Sequence, residues 1–82
     1  MDRVYKLTEV KNGKSVAFKE ISGMKVDLHR RLIEMGFVKG TKIEVVKNEK
    51  KRKLMLVCVR GYLLSLDYFI SDCVFVWGNE NE

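Results

Sequence analysis

The sequence predicts a small all-β domain: an antiparallel barrel of five to six short strands, with one amphipathic helix inserted near 25–35 and a short helical turn near 67–72. Three observations predict it. Apolar and polar residues alternate with a period of two in several short segments. The later segments recur every 8–12 residues, the spacing of small barrels. Six glycines and no proline punctuate the chain, mostly at segment ends. Closing the sheet on itself would remove exposed edges, which suits 82 residues that cannot build two layers.

The first strand is expected over 14–21, where Val16 and Phe18 alternate with Ser15, Ala17 and Lys19 after the turn Lys11-Asn12-Gly13. The period then changes. Leu28, Leu32 and Met35 lie at i, i+4 and i+7, flanked by Val26 and Ile33, so a helix of about three turns is expected to end at Gly36. A second strand follows over 42–46, with Ile43 and Val45 facing one way. Residues 47–53 (KNEKKRK) hold five basic residues and one acid and read as a solvated hairpin loop. The third strand, 54–60, is apolar on both faces. Gly61 leads into Tyr62–Leu66, where Tyr62, Leu64 and Leu66 share a face. Asp67 is placed to cap a helical turn over 68–72, and 73–77 forms the last strand. Met55, Val57 and Val59, with Phe75 and Trp77, are expected on the outer side. A homodimer over Met55, Val57, Phe75 and Trp77 is one way to cover them.

Composition narrows the function. With 46% hydrophobic and 33% charged residues, the chain is an ordinary globular mixture, read as one domain over 1–77 with an acidic tail at 78–82. A cofactor-binding domain plus a substrate domain would not fit. Residues 1–66 carry all sixteen basic residues and seven acids, whereas 67–82 carry four acids and no base. Such a basic body with an acidic tail either attracts nucleic acid, an anionic membrane surface or an acidic protein face, or only keeps a soluble protein away from neutrality. The start, MDRVYKLTEV, lacks the apolar core of a signal peptide, and no apolar run approaches the ~18 residues of a membrane span. Cys58 and Cys73 have no C-x-x-C spacing. The expected location is the reducing cytoplasm.

Chemistry-bearing constellations are absent from the pattern. The lone His29 has Asp27 at i−2, facing away, and Glu34 at i+5, so no metal site is expected. No nucleophile, base and orienting group can be nominated, and no cofactor is expected. A binding role is left. In Gly36-Phe37-Val38-Lys39-Gly40 the apolar pair Phe37 and Val38 sits in a turn, either folded back on the barrel or anchoring a partner. Arg30 and Arg31, just before it, are placed to pair with a partner's carboxylates. These five residues, Arg30, Arg31, Phe37, Val38 and Lys39, form the candidate contact site. The basic stretch 47–53 is either a solvated tip or attractive to anionic lipid or an acidic protein. Nucleic acid is disfavoured, because Phe18, Phe37, Tyr62, Phe69, Phe75 and Trp77 sit mainly in apolar strands.

The run Arg31-Leu32-x-Glu34-x-Gly36, followed by Gly40-Thr41-x-Ile43-x-Val45, resembles the ferrous iron transport protein A family. A second block, Val57-Cys58-Val59-Arg60-Gly61-Tyr62-x-Leu64-Ser65-Leu66, resembles the same family's strand–turn–strand. The likeness extends over about 7–76. Lys39 replaces the usual proline before Gly40, and Ser71 replaces a common alanine. The resemblance implies an SH3-like barrel without catalysis of its own. It also implies a cytoplasmic accessory role on a membrane transporter for ferrous iron that carries a GTPase domain. It further implies likeness to the C-terminal barrel of metal-dependent transcription repressors. Regulation of such a repressor and nucleic-acid binding by a small barrel are the alternative functions.

Overall fold

The structure, a computed structural model, describes residues 2–79. Its strands are β1 (Asp2–Lys6), β2 (Ser15–Ile21), β3 (Lys42–Glu49), β4 (Leu54–Val59), β5 (Tyr62–Asp67) and β6 (Val74–Asn79). Helix α1 (Val26–Glu34) follows β2, the four-residue α2 (Tyr68–Ser71) follows β5, and a 3₁₀ turn (Leu7–Glu9) follows β1. The strands form one antiparallel six-stranded sheet in the order β1-β6-β2-β3-β4-β5. Bulges between Phe18 and Glu20 and between Val45 and Lys47 add local twist and coil the sheet around its core. Among the described residues no helix is long and apolar enough to cross a membrane.

The inner face carries Val16, Phe18, Ile43, Val45, Met55, Val57, Val59, Leu66, Val74 and Val76, all buried. The expectation for β4 is corrected here. Met55, Val57 and Val59 point inward, and Leu54, Leu56 and Cys58 are the half-buried outer set. Register decides it: Val57 pairs with Val45 and Leu64, and Met55 pairs with Leu66. A strand apolar on both faces carries no phase in its own sequence. Phe75 and Trp77 do lie outward, half-buried. The helix stripe also changes. Leu32 is 2% exposed and Leu28 half-buried, whereas Met35 is 42% exposed because the helix ends before it.

β1 carries no alternation signal and is mostly exposed, and its pairing with β6 holds it. That pairing runs through Gly78 and Asn79, beyond Trp77; residues 80–82 of the acidic tail lie outside the described residues. Gly78 sits in close packing: a Cβ there would lie 3.1 Å from Tyr5 Cε2 and 3.2 Å from Val16 Cγ1, tight contacts that those side chains would have to yield to.

Full closure of the sheet is the second correction, since no ladder joins β1 to β5 among the described residues. A polar network bridges that side instead. β3 runs three residues into the stretch expected as loop, and the bulge before Lys47 brings Asn48 into a part-buried position. Asn48 Nδ2 donates to the carbonyls of Thr8 and Val10, each at 2.9 Å, and Asn48 Oδ1 accepts from the Tyr68 hydroxyl. Thr8 Oγ1 donates to Asp72 Oδ1 at 2.7 Å. Burial, with a smaller contribution from the Asp72 carboxylate, pushes the Tyr68 phenol above its usual pKa. The 3₁₀ turn and α2 are thus joined where a sixth, closing ladder would otherwise run.

Asp67 caps α2 as expected, its carboxylate accepting from the Ile70 amide at 2.9 Å. Ser71 in that turn is fully buried, and its hydroxyl has no partner among the described residues. A buried unpaired hydroxyl costs about 1–3 kcal/mol. Ser71→Ala is therefore expected to stabilise the fold by about 1 kcal/mol, raising Tm by roughly 4–8 °C in a thermal melt. A lowered Tm would show that the hydroxyl supports the fold.

Candidate partner-binding groove

The candidate surface is built on the turn that follows α1. Gly36 adopts a φ of +112°, where a side chain is strained, and a Cβ there would also meet the Arg60 side chain. The chain reverses at this point: the Gly36 amide donates to Ile33 O and the Phe37 amide to Leu32 O, both at 3.0 Å. Beyond the last β2–β3 pair, Ala17 with Lys42, the backbone of Phe18 continues toward the turn. Phe18 N–H donates to Thr41 O, and Phe18 O accepts from Gly40 N–H, both at 2.8 Å. Residues 36–41 are therefore stitched to β2 rather than loose.

Phe37 turns inward. It is 0% exposed, with its ring edge-on to Phe18, centroids 5.8 Å apart. It supports the site from beneath and offers a partner nothing. Val38, by contrast, is 43% exposed, and Lys39 is exposed beside it. Together with Ile33 of α1, 45% exposed, they line a groove of about 440 Å³ between α1 and β2. Lys19, Glu20 and Ile21 form its strand wall, and His29 lies on the helix wall.

The groove ends in a cationic cluster. Lys19 Nζ and Lys39 Nζ stand 6.0 and 5.8 Å from the centroid of the Trp77 ring. Lys19 also bonds Glu20 at 2.6 Å. That hydrogen bond and the Lys19 charge, helped by the Lys39 charge against a small desolvation, hold the Glu20 carboxyl below its ordinary pKa. Arg30 and Arg31 do not join this groove. They are exposed around a separate depression of about 490 Å³, with Lys25, Asp27, Leu28 and Glu34. The five expected residues thus divide: two on the groove, two on another side of α1, and one in the core.

Sequence reasoning missed Lys19, Ile33 and Trp77 as neighbours. Lys19 and Trp77 meet because β2 pairs with β6, with Ala17 opposite Trp77, a register that no local pattern encodes. The outward alternation of Trp77 was the one available signal. Exposure of the aromatics is also uneven: Phe18 and Phe37 are buried, Phe75 and Trp77 half-buried, and Tyr62 and Phe69 exposed. Among the described residues no His, Cys, Asp and Glu side chains gather in threes to hold a metal ion.

The FeoA domain matches residues 5–77 of this chain, from β1 into β6. The chain belongs to the FeoA family. Stenotrophomonas maltophilia FeoA, solved in complex with zinc and described as a procaryotic SH3 domain protein, is 27% identical, with a TM-score of 0.75 over 85% of this chain and 86% of that one. A FeoA-like protein from Clostridium acetobutylicum is 26% identical, with a TM-score of 0.76 over 93% of this chain and 87% of its own. A manganese-dependent transcriptional repressor shares the fold alone, at 13% identity and a TM-score of 0.84, over 96% of this chain but 44% of the repressor. No curated protein sequence matches significantly. The small antiparallel SH3-like architecture read from the sequence is the one observed. In family terms, the matched Gly36 is the residue that reverses α1, and the matched Ile43 and Val45 are core residues of β3.

Proposed function

We propose that this chain is a cytoplasmic accessory protein of ferrous iron uptake that docks, through the α1–β2 groove, on a membrane transporter carrying a GTPase domain. The observation that carries this reading is the FeoA match across residues 5–77, in a family associated with ferrous iron transport. The S. maltophilia relative has been suggested to act as a ferrous iron transport activating factor. The groove suits a protein partner: an apolar side chain can seat between Ile33 and Val38 while a carboxylate meets Lys39. Docking alters the transporter only if the groove fits one of its conformations better than another.

The test is retention of the transporter's cytoplasmic domain by the immobilised chain, with and without guanine nucleotide. Val38→Asp and Lys39→Glu, both on exposed positions, are expected to weaken retention about tenfold or more each. Arg30→Ala and Arg31→Ala, off the groove, are expected to change it less than about threefold. A wild-type chain that retains nothing in any nucleotide state would sink the reading. So would groove variants that bind like wild type.

A second reading rests on the repressor likeness, which spans 96% of this chain. Here the barrel would regulate a transcription factor. Recovery of a DNA-binding protein instead of the transporter from the same column would select it.

A further inference from the structure

We propose that the β3–β4 hairpin tip and α2 together form a second binding surface, which adsorbs to an anionic lipid bilayer. The tip, Lys50–Lys53, is four consecutive basic residues, all exposed. Lys50, Lys51 and Lys53 have no ion-pair partner among the described residues. The carboxylates on the neighbouring elements make their contacts with other groups. Glu49 lies 3.3 Å from Lys47 and 3.7 Å from Arg52, Asp67 caps α2, and Asp72 accepts from Thr8.

The second observation is apolar. The Tyr68 amide donates to Lys53 O at 3.0 Å, which fixes the first turn of α2 against the tip. Phe69 follows immediately and is 85% exposed, the most exposed large hydrophobic side chain described. An exposed aromatic ring beside exposed lysines held in no ion pair is the combination that settles at the boundary between headgroups and acyl chains. A nucleic-acid strand would instead require several aromatics along a groove. A projecting tip with one ring offers no such platform.

The surface is independent of the docking groove. Lys42, beyond the groove's loop, and Glu49, before the tip, stand at opposite ends of β3, roughly 20 Å apart at strand rise. Each lysine near an anionic surface multiplies partitioning about fivefold, so three supply on the order of a hundredfold.

The experiment is cosedimentation of the full chain with vesicles of phosphatidylcholine alone or of phosphatidylcholine with phosphatidylglycerol. The chain is expected to sediment with the anionic vesicles and not the neutral ones, and to be released as salt rises. Lys50→Glu with Lys51→Glu should weaken partitioning by at least about twentyfold, and Phe69→Ser by about fivefold. Val38→Ala, in the groove, should leave it unchanged. Equal partitioning into both vesicles overturns the proposal, as do tip and Phe69 variants that behave like wild type. Binding of a single-stranded oligonucleotide without binding of vesicles also overturns it. No transporter is present, so failure here leaves the docking reading standing.

Discussion

Phe37→Ala is expected to leave this protein largely unfolded at physiological temperature. The side chain is fully buried and packs edge-on against Phe18. Removing such a ring costs about 3–5 kcal/mol, because the lost burial is joined by an unfilled cavity. An 82-residue chain sits at the low end of the usual ~5–15 kcal/mol range, so the loss consumes most of its stability. Urea unfolding should show the midpoint falling toward zero denaturant, while Phe37→Leu keeps most of the stability, losing about 1–2 kcal/mol. A loss below about 1 kcal/mol for the alanine variant would mean that the turn does not anchor the core. The position is for that reason a poor probe of docking, although the sequence made it look like a contact residue. Lost binding in Phe37→Ala would report lost structure.

Asn48→Ala carries the next largest effect. Its amide donates to two carbonyls from the segment around the 3₁₀ turn, and its oxygen accepts from Tyr68. Three hydrogen bonds at about 1 kcal/mol each, with Thr8 O and Val10 O left short of a donor, give an expected loss of roughly 2–4 kcal/mol. Asn48→Asp should be at least as damaging, since it replaces the donor with an oxygen facing the same two carbonyls. Tyr68→Phe should cost about 1 kcal/mol. In a double-mutant cycle Asn48 and Tyr68 should couple by more than about 0.5 kcal/mol. Additive behaviour within that limit would show that the network does not bridge the sheet's open side.

What the sequence made legible were features that local chemistry determines. β2 and β5 follow from alternation, α1 from its period and its terminal glycine, and α2 from the Asp67 cap. What stayed hidden depended on pairing. The phase of β4 is set by Val45 and Leu64 on its neighbours, not by its own residues. β1 lacks alternation because both its faces are mostly exposed. The end of β3 is polar because Asn48 serves the network, so composition alone assigned it to a loop. The same limit governs the site. Val38 and Lys39 were visible in their turn, but the Lys19–Trp77–Lys39 cluster exists only once β2 lies beside β6.

The position of β6 between β1 and β2 also bears on how the ribosome's product matures. The ribosome delivers β2 through β5 before β6, so that meander can begin to pair while its β2 margin still waits for a neighbour. β1, although made first, has no ladder until Asn79 arrives opposite Asp2. Such distant pairing slows assembly. During that interval the nascent chain presents open strand margins to whatever surrounds it.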